Sequence, residues 1–160
     1  MNSFFNLPAN FFNKKNKYLV VASLFGLGYF KYYPKIVTAF VVTLLAIVFG
    51  YFGNSLIVFL SALLIILSFF LVEQITKPSS LKFFVIDVAT GQSLAIVIFP
   101  HNIPLMFLSF FIFSALTYFK PPFIINLIHA SFKPNTAIIM DDIIIGFASL
   151  ILSSLLAILI

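Results

Sequence analysis

Five long apolar stretches run along the chain, Ile36–Phe52, Asn54–Val72, Phe83–Phe99, Ile103–Phe119 and Ala137–Ile160. Clusters rich in Gly, Pro, Asn, Ser and Lys separate them: "GYFGN", "EQITKPSS", "PHNIP", and "KPPF" through to "SFKPN". Each stretch approaches the ~20 residues that a helix needs to cross a bilayer, so the pattern predicts five transmembrane helices. A sixth apolar segment, Tyr18–Phe30, is shorter and is interrupted by Gly26 and Gly28; it predicts an interfacial or re-entrant helix rather than a span. The start, "MNSFFNLPANFFNKKNK", has its lysines after its aromatic residues and no small-residue cleavage site. It is expected to be a retained amphipathic segment at the membrane surface.

Composition sharpens this picture. The 160 residues are 62% hydrophobic and only 8% charged, with a mean hydropathy of +1.20. Soluble domains carry about 25% charged residues. The expected fold class is therefore all-α, a polytopic membrane helical bundle. Residues 1–35 form a cytoplasmic N-terminal segment, and residues 36–160 form one membrane-embedded domain. With no cysteine, disulfides and thiolate metal sites are excluded. A net charge of +5 is too small to argue for nucleic acid.

The placement of that charge says more than its size. All nine basic residues are lysines. Lys14, Lys15, Lys17, Lys31 and Lys35 precede the first stretch, Lys77 and Lys82 lie between the second and third, and Lys120 and Lys133 lie between the fourth and fifth. In a five-span chain they all fall on one side. By the positive-inside rule that side is the cytoplasm, which puts the N-terminus inside and the protein in the cell's cytoplasmic membrane.

The four acidic residues face the same side. Glu73 ends the second stretch, Asp87 lies about one turn into the third, and Asp141 and Asp142 lie about one turn into the fifth. An aspartate deep in a span costs about 2.5–3.5 kcal/mol and less near the interface, so these should face other helices or a wet cavity. A glycine follows two of them at i+4: Gly91 after Asp87 in "VIDVATGQ", and Gly146 after Asp142 in "MDDIIIGF". At that spacing the glycine shares the acid's helix face and lets a neighbouring helix approach closely. The two carboxylates should then meet. Clustered carboxylates beside lysine make a hard oxygen site suited to Mg²⁺ and a phosphate.

Plainer readings stand beside this one. Asp87 and Asp141 fit helix capping, Glu73 fits a solvated pair with Lys77, and Lys120 before its prolines fits a snorkelling residue. Gln92 fits a hydrogen bond within the bundle and His101 a loop. His129, in "FIINLIHASF", fits a surface helix on the lysine side, where it could also act as an acid or base.

Three motifs together resemble the phosphatidylglycerophosphatase A family of membrane phosphatases. Its V-I-D-E-x-x-G-Q corresponds to "VIDVATGQ" (Val85–Gln92), its F-R-x-F-D with a following K-P to "FSALTYFKPPFI" (Phe113–Ile124), and its M-x-D-D-x-x-x-G to "IMDDIIIGF" (Ile139–Phe147). The resemblance covers roughly Leu19 to the C-terminus. It implies a Mg²⁺-dependent hydrolase that converts phosphatidylglycerophosphate to phosphatidylglycerol. Asp87, Asp141 and Asp142 would hold the metal, and Asp87, Asp142 and Lys120 would be catalytic. Lys120 and Gln92 would bind the phospholipid substrate, with Gly91 and Gly146 as structural glycines. Homo-oligomerisation stays open.

The chain also departs from the pattern. The motif glutamate is Val88, the arginine is Ser114 and its following aspartate is Thr117; an upstream Asp-Pro is replaced by Ser80-Leu81. The early P-G-T appears only as "YPKIVT", with Pro34 kept. These losses weaken metal binding and charge neutralisation. They leave room for a catalytically degenerate relative acting as a lipid-binding or scaffold protein. A small ion-coupled carrier using Asp87 fits less well, because carriers bind near the midplane.

Overall fold

The computed structural model describes residues 17–75, 82–120, 122 and 131–159. Lys14, Lys15, Lys77, Ser80-Leu81, Pro121 and His129, and the amphipathic start of the chain, lie outside the described residues. Among the described residues the fold is all-helical, with no strand. It comprises α1 (Lys17–Ala22), a 3-10 turn (Leu27–Tyr29), α2 (Pro34–Gly50), α3 (Asn54–Gln74), α4 (Ile86–Ile96), α5 (Ile103–Phe119) and α6 (Pro134–Leu159).

Helix α4 is the centre of the bundle, packed against α2, α3, α5 and α6. All eleven of its residues are buried. Several of its polar side chains bond to neighbouring helices, which offsets their burial in an apolar bundle. The Thr90 hydroxyl lies 2.7 Å from that of Ser68 on α3, and Ser109 on α5 donates to the Ala95 carbonyl at 2.7 Å. The expected span Phe83–Phe99 is thus a shorter helix with a 3-10 turn at one end and tight turns at the other. Its Val97 and Phe99 amides bond three residues back, to Leu94 and Ile96. Even so, its two ends match those of α2. Asp87 lies beside Lys35, and Gly50 abuts the Pro100 carbonyl.

The outside of the bundle is apolar. Phe40 and Val48 on α2, Phe59 and Ile66 on α3, Phe111 on α5, and Phe147, Ile151 and Leu155 on α6 are all exposed, which makes a surface unlike that of a soluble monomer. Among the described residues two helices, Asn54–Gln74 and the Thr136–Leu159 part of α6, are long and apolar enough to cross a membrane. α2 and α5, at 17 residues each, reach about 25 Å.

Tyr18–Phe30 forms no continuous helix. After the six residues of α1 the backbone turns through left-handed conformations at Leu24, Phe25 and Gly26. The segment folds onto the entry to α4: Tyr29 stacks on Phe83 with ring centroids 4.0 Å apart, and the Val85 amide donates to the Ala22 carbonyl.

Close backbone packing makes some glycines indispensable. A methyl group on Gly50 would overlap the Pro100 carbonyl, and backbone cannot move aside as a side-chain end can. Gly50→Ala is expected to destabilise the bundle by about 1–3 kcal/mol, measurable as a lower midpoint of thermal unfolding in detergent.

Candidate functional site

Four helices deliver five charged side chains to one region. Asp87 comes from the first turn of α4, Asp141 and Asp142 from α6, Lys35 from the start of α2, and Lys120 from the end of α5. The contact that unites them is the crossing of α4 and α6. A Cβ on Gly91 would collide with the Asp142 carbonyl, and a Cβ on Gly146 would collide with the Gly91 carbonyl. The two helices therefore touch backbone to backbone, and the acid one turn before each glycine is carried to the same place, as the i, i+4 spacing predicts.

One ammonium joins the two acids. Lys35 Nζ donates to Asp142 Oδ2 at 3.1 Å and lies 3.6 Å from Asp87 Oδ2. Both carboxylates are essentially inaccessible, at 0% and 1% exposure, while the Lys35 side chain is 36% exposed. Burial without a counter-charge would be costly for either acid, so Lys35 is what allows them to lie together inside. Pro34, placed at the start of α2 where its missing amide costs nothing, sets this lysine in the helix's first turn.

Asp141 has a different partner. Adjacent residues on a helix point about 100° apart, and Asp141 turns away from Asp142 to form an ion pair with Lys120. Lys120 ends α5 in a left-handed conformation, φ 40°. α6 starts at Pro134, so Asp141 and Asp142 lie deeper along their helix than the single turn expected.

Several buried polar atoms have no hydrogen-bond partner: Asp87 Oδ2, Asp141 Oδ1 and Asp142 Oδ1 in this cluster, and the hydroxyls of Ser114 and Thr117 on α5. Asp87 Oδ1 accepts from the Val88 amide, so this acid does perform a local cap as well. Among the described residues no group of three or more His, Cys, Asp or Glu side chains is arranged to hold a metal ion. The expected three-carboxylate set is thus divided, with Asp87 and Asp142 together and Asp141 apart with Lys120. Two carboxylates still fit Mg²⁺, which is commonly held by one or two carboxylates plus substrate phosphates, and each of the two has an oxygen free of hydrogen bonds.

The remaining expected positions fall as follows. Gln92 is buried and donates to Thr43 on α2 at 3.0 Å, the bundle hydrogen bond of the plainer reading. Val88 packs with Ala39, Phe110, Phe113 and Ile145, leaving an apolar contact at the motif glutamate's position. Glu73 and His101 are exposed. Lys35 is not among the expected site residues; its signal is a lysine directly after Pro34, at the entrance of an apolar stretch. Because Gln92 bonds to Thr43, Gln92→Met should cost about 1 kcal/mol of stability, the worth of one hydrogen bond. The midpoint of thermal unfolding in detergent checks it.

Comparison with known proteins adds one finding. The family model described as phosphatidylglycerophosphatase A matches residues 20–157. No curated protein and no solved structure matches the chain.

Proposed function

The chain belongs to the phosphatidylglycerophosphatase A family, and we propose that it is a Mg²⁺-dependent lipid phosphatase that removes the terminal phosphate of phosphatidylglycerophosphate. The observation that carries this reading is the pairing of two buried aspartates, Asp87 and Asp142, across a glycine crossing with lysines at hand. Asp87 and Asp142 would hold the metal. The chemistry supplied by bound Mg²⁺ is polarisation of the phosphoryl group and activation of a water. The residues of the chain do the rest. Lys120, paired with Asp141, would turn its ammonium to a phosphate oxygen, and the burial of the acids strengthens each charge interaction by excluding water.

The apolar exterior and the lysine pattern support a multi-pass protein. In it α2, α3, α5 and α6 meet lipid, α4 is enclosed among them, and the N-terminus and site lie on the cytoplasmic side. That arrangement brings the site to the level of lipid headgroups.

A scaffold role without turnover draws support from Val88, whose apolar packing removes a carboxylate. Purified protein in detergent, offered phosphatidylglycerophosphate, phosphatidic acid and glycerol 3-phosphate in turn, separates the readings. Release of phosphate chiefly from the first is expected. Equal release from all three would contradict the substrate assignment, and none from any would favour the scaffold.

A further inference from the structure

Lys35 has a second side. Besides bridging Asp87 and Asp142, it lines an opening of about 230 Å³ together with Tyr33, Pro34, Ile36, Thr117 and Tyr118. This space is enough for a phosphoryl group with part of its hydration. Thr117 lines the same opening, is 8% exposed, and has a hydroxyl with no hydrogen-bond partner. The opening is thus furnished with one ammonium and an aromatic rim, with Thr117 in its wall. Tyr33 and Tyr118 are both more than half exposed.

The charges of the cluster point the same way. Three aspartates face two lysines, and neither lysine is bound so as to exclude a second partner. An ammonium has three donors, and Lys35 makes a single hydrogen bond to a carboxylate at 3.1 Å, with Asp87 beyond hydrogen-bonding distance. Its stem is flexible and over a third of the side chain is exposed. Ser114 and Thr117 leave the α5 wall without charge, so the cation at this opening comes from α2.

We propose that Lys35 is a phosphate-binding residue of this site, held between Asp87 and Asp142 and extending its ammonium to phosphoryl oxygens in the opening that Thr117 lines. The inference rests on reading the cluster as a phosphate site, but not on turnover. It adds to that reading a residue and a route of entry.

The test titrates inorganic phosphate, in the presence of Mg²⁺, into purified protein by calorimetry. Lys35→Met is expected to weaken phosphate binding about tenfold or more, the worth of a charge-assisted hydrogen bond. Lys35→Arg, which keeps the charge, should stay within about threefold. Unchanged binding by folded Lys35→Met would overturn the proposal.

Since Lys35→Met strands two buried acids and can fail to fold, the unmodified protein supplies a second arm. It is prepared with lysine labelled by ¹⁵N at the side-chain nitrogen, and the ammonium signals are followed by NMR as inorganic phosphate is added. The signal of ion-paired Lys35 should shift, while that of exposed Lys31 stays in place. A Lys35 signal unmoved at saturating phosphate would overturn the proposal. Phosphate binding that depends on Lys35 without any lipid turnover would sink the phosphatase reading alone. Turnover with phosphate binding indifferent to Lys35 would sink this inference alone.

Discussion

Asp142→Asn is expected to lower phosphate release from phosphatidylglycerophosphate by roughly 10²–10³-fold, the range seen when a preorganised electrostatic group is lost from a reacting centre. The substituted amide would keep the size and most of the packing of the carboxylate. It would lose the charge that pairs with Lys35 at 3.1 Å and the anionic oxygen that is otherwise unpartnered. The loss should appear in kcat/KM without unfolding, because Asp87 remains to accompany Lys35. Asp141→Asn should do less, since Asp141 pairs with Lys120 and stands apart from the other two. Phosphate release by the two variants, compared at equal folded fraction, checks the ordering. Equal losses from both would mean that the three acids act as one unit.

The other large effect concerns the crossing that brings the acids together. Gly91→Val and Gly146→Val should each prevent recovery of folded protein. Gly91→Ala and Gly146→Ala should cost at least the upper part of the about 1–3 kcal/mol range for overpacking. At both positions the added atom meets backbone of the facing helix, and at Gly91 it also meets the Phe113 ring. Relief requires α4 and α6 to separate, which would part Asp87 from Asp142. The alanine variants should therefore lose activity beyond what their loss of stability accounts for. The check is turnover per folded molecule beside the unfolding midpoint.

Much of this arrangement is legible in the sequence because helical geometry is strict. An acid and a glycine four residues apart, occurring twice, announce two helix faces that meet closely, and Asp87–Gly91 and Asp142–Gly146 do so. The same geometry sends neighbouring Asp141 and Asp142 to different partners, which divides the single ligand set that the motifs suggest. Other features leave weaker traces. An unbroken apolar run carries no mark of where a helix ends, so the eleven-residue α4 lies hidden within a longer stretch. In the sequence Lys35 is one of nine lysines with nothing to single it out but Pro34. A lysine's charge sits at the end of a long stem, so its position in the chain does not reveal whether the ammonium reaches headgroups or two buried acids. Gln92 is legible only as polar; its bond to Thr43 depends on the angle between α4 and α2.

The losses at Val88, Ser114 and Thr117 take a physical form in the fold. Val88 joins the apolar core, where a carboxylate would need a partner, whereas Ser114 and Thr117 keep buried, unpartnered hydroxyls on α5. The acid pair is assembled without those three charges, with Lys35 from α2 as its counter-ion, while Lys120 from α5 accompanies Asp141.

The most direct measurement of the central claim is conversion of phosphatidylglycerophosphate by the purified, folded protein, with Mg²⁺ or with a chelator, following lipid and phosphate together. The account predicts one phosphatidylglycerol formed per phosphate released, in the Mg²⁺ sample only. Folded protein that binds the lipid but forms no phosphatidylglycerol in either sample would contradict it.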